Sequence, residues 1–98
     1  MADYRLTRAA DADLLEIFIY GLDRFGLAQA ERYRDGLLRC FEHLAANPGM
    51  GRAADPLAVG ARRHEHGRHI VFYDEQPYGV LIIALVHERS LRWLRQSH

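Results

Sequence analysis

Lysine is absent from this chain of 98 residues, and all 13 basic side chains other than histidine are arginine. A catalytic lysine is thereby excluded. The arginine excess reads first as codon usage and only secondarily as a sign of planar, bidentate recognition. Serine is nearly missing as well, with Ser90 and Ser97 the only two. No Gly-x-Ser-x-Gly elbow occurs and no glycine-rich phosphate loop follows a strand, so serine nucleophiles and nucleotide hydrolysis find no support. The lone cysteine, Cys40, rules out an intrachain disulfide. Met1-Ala2-Asp3-Tyr4 lacks the basic and apolar regions of a secretion signal, which makes a reducing cytoplasm the expected setting. The longest apolar run, Val80 to Val86, falls far short of the roughly 20 residues a membrane-crossing helix needs. An excess charge of one sign is missing too: 13 acidic residues balance the 13 arginines. This removes the broad positive field that grips duplex DNA without sequence preference. A chain this short buries only about 60 to 65% of its unfolded surface, which fits one globular domain working through its surface, with no cofactor.

What is present is organised by apolar periodicity. Tyr4-Arg5-Leu6 reads as a brief strand, and Thr7 as the cap of a first helix. Leu14, Phe18, Leu22 and Phe25, widened by Leu15 and Ile17, predict one apolar helix face ending at Gly26. From Leu27 a second stripe follows through Ala30, Tyr33, Leu37, Phe41 and Leu44, interrupted by Gly36, which is expected to allow close packing where the helices cross. The short link around Gly26 makes the pair an antiparallel hairpin. Asn47-Pro48-Gly49-Met50-Gly51 ends the second helix, and the stretch to Gly60 reads as loop. Ala61 to His66, Arg68 to Asp74 and Val80 to His87 then predict an antiparallel meander of three strands, with a short terminal helix or turn from Ser90 to His98.

Both parities of Ile70-Val71-Phe72-Tyr73 and of Val80 to Val86 are apolar, so both faces of the central strands must leave water. The two helices can cover only one. The tail, a second copy or another protein is expected to cover the other, which makes dependence on a partner the first functional inference.

The densest chemical cluster is Arg62-Arg63-His64-Glu65-His66-Gly67-Arg68-His69. On a strand, Arg62, His64 and His66 share one face, able to hold a phosphate by arginine and to offer an imidazole as acid or base. The plainer reading is a charged edge strand that discourages aggregation. His64-x-His66 is a weak chelating pair without cysteines to complete it, and no metal is expected. His87-Glu88-Arg89 closes the last strand, where polar groups can meet a ligand or simply close the sheet edge. His43 reads as a surface residue and Cys40 as a small buried hydrophobe. Asp11-x-Asp13 and Glu16 read as acids favoured by the start of a helix rather than as a catalytic pair.

The order of these elements resembles the ParE toxins of the ParE/RelE superfamily of bacterial toxin–antitoxin systems. The likeness runs through Tyr4-Arg5-Leu6-Thr7, Ala12-Asp13-Leu14 with Ile17, Tyr20 with Phe25-Gly26, Ala30 and Tyr33, and Pro48-Gly49-Met50-Gly51-Arg52. It continues through Gly60-Ala61-Arg62, His69-Ile70-Val71-Phe72-Tyr73 and Ile82-Ile83-Ala84-Leu85-Val86-His87-Glu88-Arg89.

This resemblance implies an α+β fold, a helical hairpin packed on a mostly antiparallel sheet of about four strands, with a short C-terminal helix. It also implies a small ParD-like antitoxin of the ribbon-helix-helix type, which supplies the DNA contact, in a hetero-oligomer with an even number of chains. Leu15, Phe18, Leu22, Tyr33, Leu37 and Phe72 are the expected antitoxin contacts. Two activities are implied. The ParE-type one is poisoning of DNA gyrase by binding, with Arg89, Trp93 and Arg62 meeting the target. The alternative is ribosome-dependent cleavage of messenger RNA, for which Arg62, His69, His87 and Arg89 are the candidates. His69, Gly60 and Arg95 stand where RelE-type members carry arginine, lysine and a tail tyrosine, which favours binding over cleavage.

Overall fold

A computed structural model describes residues 2–54 and 60–90. Strand β1 (Asp3–Leu6) leads into helices α1 (Arg8–Phe25) and α2 (Leu27–Ala46), and a 3-10 turn at Pro48–Met50 follows. Strands β2 (Arg52–Ala53), β3 (Arg62–His66), β4 (His69–Gln76) and β5 (Gly79–His87) complete the described chain. The sheet order is β1-β5-β4-β3-β2, with β1 parallel to β5 and every other pairing antiparallel.

The helix boundaries follow from local chemistry. Thr7 caps α1: its hydroxyl accepts from the Ala10 amide at 3.0 Å and donates to the Ile83 carbonyl at 2.6 Å. One side chain thus satisfies an orphan helix donor and fastens the helix to β5. Gly26, at φ 88°, makes the turn between the helices, a conformation that costs glycine little. On α2, the stripe of Ala30, Leu37, Phe41 and Leu44 is buried as its spacing predicts. Leu37, Phe41 and Leu44 pack on Val71, Tyr73, Val80, Ile82 and Leu85 of the sheet.

Four expectations are corrected. First, α1 packs through Ala10, Leu14 and Ile17, while Leu15, Leu22 and Phe25 stand exposed with Ile19 and Tyr20. The predicted stripe through Leu22 and Phe25 is rotated because a period-3.6 pattern weighs large apolar residues and overlooks the small Ala10. Second, the close approach at Gly36 is to the His66 ring of β3, where a methyl would lie 3.3 Å from Nε2; between the helices, Gly21 faces Ala30, where a methyl would make ordinary contact at 3.5 Å. Third, the presumed loop up to Gly60 contributes β2, a fifth strand paired with β3, because two residues carry no readable periodicity. Fourth, the far face of the sheet is covered at its centre. Ile70 and Phe72 are buried in a second cluster with Ala54, Ala61, Ile83 and Val86. Among the described residues the large exposed apolar surface lies mostly on the helical hairpin instead.

A bulge explains why β5 is apolar at both parities. Tyr73 opposes Ile82 and Phe72 opposes Ala84, so Ile83 is an extra residue in the strand. Val80 and Ile82 point at the helices before the bulge, and Leu85 does so after it. The tail helix expected from Ser90 starts as a helical turn at residues 88–90; its remainder, with Trp93, lies outside the described residues.

Candidate functional site

A groove of about 630 Å³ opens between the hairpin and the ends of β4 and β5. Ile17 and Gly21 of α1, Ala30 of α2 and Leu85 of β5 contribute its apolar lining, and Asp13 and Glu16 stand on the α1 side. At the other end are Tyr33, Arg68, His69, His87 and Arg89. Asp13 is committed to the fold, since its Oδ2 accepts the Leu85 amide at 3.0 Å.

The polar end of the groove is built by strand register. His66 pairs with His69 across the β3–β4 hairpin and His69 pairs with His87 across β4–β5, so three histidines form one row across three strands. The His69 and His87 rings meet edge to face, with centroids 5.2 Å apart. Tyr33 reaches down from α2: its hydroxyl donates to the His66 carbonyl at 3.2 Å and lies 2.6 Å from His69 Nδ1. The Arg89 amide donates to His87 Nδ1 at 3.1 Å. Arg68 pairs with Glu88 at 3.2 Å. Burial, with the neighbouring His87 and His66, holds the His69 imidazole below its ordinary range, and burial with His64 and Arg39 does the same to His66. Burial pushes the Tyr33 hydroxyl up. His66, His69 and Tyr33 are thereby each held toward the neutral form at this end of the groove, beside Arg68 and Arg89.

Of the four cleavage candidates, His69, His87 and Arg89 line this groove and Arg62 does not. Arg62 opposes Tyr73, four residues along β3 from the His66–His69 pair, about 13 Å at the usual rise of a strand. Its guanidinium donates to the Gly51 carbonyl at 2.7 Å and to Glu75 at 2.9 Å. Arginine here braces the loop after α2. Among the expected antitoxin contacts, Leu15 and Leu22 are 59% and 42% exposed, and Phe18 is partly exposed beneath the Arg34 guanidinium. Tyr33 lines the groove, whereas Leu37 at 0% and Phe72 at 7% exposure are core residues. Periodicity marked both as apolar without distinguishing core from interface.

Cys40 is buried, and burial pushes its thiol up, away from nucleophilic character. His43 is exposed on α2. Among the described residues, no group of three His, Cys, Asp or Glu side chains is disposed to hold a metal ion, and no helix is long and apolar enough to cross a membrane. Sequence reasoning placed Arg68 in the basic cluster without singling it out, and it missed the pairing of Tyr33 with His69. Its available signal was a tyrosine within an apolar stripe, whose hydroxyl needs a partner when buried.

Comparisons with known proteins bear on this arrangement as a whole. The family model for the "ParE toxin of type II toxin-antitoxin system, parDE" matches residues 4–92. Toxin ParE1 of Caulobacter vibrioides is 41% identical over 88 residues, covering 90% of this chain and 91% of that protein. Toxin ParE1 of Mycobacterium tuberculosis is 38% identical over 87 residues, covering 88% and 89%. A solved structure titled "Chromosomal ParDE TA system from P. aeruginosa" shares the fold, with a TM-score of 0.74 at 22% identity over 89% of this chain and 96% of that one. The matched segment spans every element from β1 to β5, and on that basis the chain belongs to the ParE toxin family of type II toxin–antitoxin systems.

Proposed function

We propose that this toxin is neutralised by a ParD-like antitoxin and that, once released, it poisons DNA gyrase in the cytoplasm by binding rather than by catalysis. The observation that carries the second half is the separation of Arg62 from the other three cleavage candidates. Stabilising a phosphoryl transition state requires basic groups converging on one phosphate. Arg62 is four residues of strand away from His69 and tied to Gly51 and Glu75. Arg68 is paired with Glu88, which leaves Arg89 as the exposed arginine of the groove end without an ion pair among the described residues. In this reading Arg89, with Trp93 of the tail, meets the target.

The antitoxin half is supported by the exposed apolar face of α1. Leu15, Ile19 and Leu22 recur at helical spacing on the solvent side, and Phe25 and Leu27 extend the exposed surface to the hairpin tip. A face of this kind is an interaction site by default. The neighbouring solved structure is titled as a ParDE system, which supports a ParD-like partner here; a ribbon-helix-helix partner and an even number of chains are what the family resemblance implies. Leu15, Phe18, Leu22 and Tyr33 are the proposed contacts, chosen over Leu37 and Phe72 because those two are buried in the chain itself.

One experiment tests both halves. The chain is induced with and without the product of the gene immediately upstream, and supercoiling, DNA breaks and message integrity are followed in the same cells. Growth arrest with broken DNA and intact messages, relieved by the upstream product, is the expected result. Ribosome-dependent message cleavage that His87→Ala abolishes would establish the alternative, which the shared groove of His69, His87 and Arg89 favours.

A further inference from the structure

Different neighbours hold the Nδ1 atoms of the two groove imidazoles. His87 Nδ1 accepts the Arg89 amide, so the neutral ring carries its proton on Nε2 and presents a donor. Tyr33 has one hydroxyl proton, which goes to the His66 carbonyl. With the proton placed there, its oxygen accepts from His69 Nδ1 2.6 Å away, and the neutral His69 ring carries its bare nitrogen at Nε2. A donor and a proton acceptor thus stand side by side, their ring centroids 5.2 Å apart, beside the exposed guanidinium-bearing residue Arg89. Apolar surface from Ile17, Ala30 and Leu85 adjoins them, and Glu16 lies on the opposite wall.

We propose that this end of the groove is a carboxylate-binding subsite, formed by His69, His87 and Arg89, that takes an acidic side chain flanked by an apolar one from the antitoxin. It rests on the antitoxin reading above only in naming the owner of the carboxylate. Charge complementarity selects the ligand and its direction. The carboxylate is drawn to the arginine and imidazole end and repelled from Glu16, while the adjoining apolar side chain fills the space against Ile17, Ala30 and Leu85. On binding, His69 Nε2 takes up one proton from solvent, so that both rings donate to the carboxylate oxygens and no covalent bond changes. The charged and titratable groups facing His69 are Tyr33 from α2, His66 from β3, and His87 and Glu88 at the end of β5. Of these, only Glu88 favours a proton on His69 in the empty groove. The incoming carboxylate supplies what the empty groove lacks, and occupancy is thereby coupled to proton uptake.

The probes are hydrocinnamate, a phenyl group joined to a carboxylate, and its neutral amide, each titrated into the purified full chain and followed by histidine-ring NMR. Hydrocinnamate is expected to shift the His69 and His87 rings and to bind at least about threefold more tightly near pH 6 than near pH 7.5, the ceiling for one linked proton being about tenfold per pH unit. Arg89→Gln is expected to weaken it severalfold, and the amide to bind more weakly than the acid at both pH values. Equal binding of acid and amide, absence of pH dependence, shifts confined to other residues, or no binding would each overturn the subsite. Capture of the upstream gene's product, measured separately, keeps the two readings apart. Failure of the probe with capture intact removes the subsite alone, and loss of capture with the probe still bound removes the antitoxin as its ligand.

Discussion

The Gly51 amide donates to the Tyr73 hydroxyl at 2.8 Å, joining the loop after α2 to the centre of β4 across 22 residues of sequence. The same hydroxyl donates to the Pro48 carbonyl at 2.7 Å, and the Gly51 carbonyl accepts from Arg62. The loop that follows α2 is therefore held by polar groups that the sheet supplies. Burial raises the Tyr73 hydroxyl away from ionisation, so it stays a donor throughout the physiological range.

Removing that hydroxyl tests the brace. Tyr73→Phe leaves the Gly51 amide and Pro48 carbonyl without their partner, and a loss of about 1 to 3 kcal/mol is expected in chemical denaturation of the purified chain. Gly51→Ala is expected to be at least as damaging, because a methyl there would meet the Arg63 carbonyl at 2.8 Å as well as the Tyr73 ring. An unchanged denaturation midpoint for both variants would show that the loop is held by other means.

What could be read in advance, and what could not, divides by range. Thr7 and Gly26 punctuate the helices through neighbours a few residues away, and both were legible. The α2 stripe was legible because its large residues and its core face coincide. On α1 they do not coincide: Leu15, Leu22 and Phe25 carry the same apolar signal as core residues while facing water, so the pattern showed an amphipathic helix and misjudged its rotation. The functional groove depends on register. His66, His69 and His87 become neighbours through two strand pairings, and Tyr33 meets His69 from 36 residues away. The separation of Arg62 from His69 is equally a matter of register, since in sequence the two are only seven residues apart.

The double role of Thr7 makes a clean substitution series. Thr7→Ala removes the acceptor for the Ala10 amide and the donor to the Ile83 carbonyl, and a destabilisation of about 1 to 2 kcal/mol is expected from loss of a helix cap of this kind. Thr7→Ser retains the hydroxyl and is expected to recover most of it. Equal loss in both variants would assign the effect to the methyl group rather than to hydrogen bonding.

Folding stability should depend on pH through the histidine row. In the folded chain His69 and His66 hold protons less readily than in the unfolded one, where their value is about 6.5. The unfolded state therefore binds more protons in this window, and stability rises with pH. It is fully present above the unfolded value and declines as pH falls below it toward the lower folded values. Denaturation midpoints near pH 7.5 and near pH 5.5 are expected to differ in that direction, with the gap reduced in His69→Gln. A midpoint that rises on acidification would contradict the burial of the row.

Exposure on α1 separates interface from core. Leu15→Glu and Leu22→Glu change side chains that are 59% and 42% exposed, so each is expected to alter stability by no more than about 0.5 kcal/mol. Both should weaken capture of the antitoxin and leave the variant toxic in its presence. Leu37→Ala, at a position with 0% exposure, is expected instead to cost about 2 to 5 kcal/mol by opening a cavity beneath α2. Growth rescue by the antitoxin, scored beside denaturation midpoints, distinguishes the two classes. If the glutamate variants unfold, the outer face of α1 is structural; if they fold and are still rescued, the antitoxin binds elsewhere.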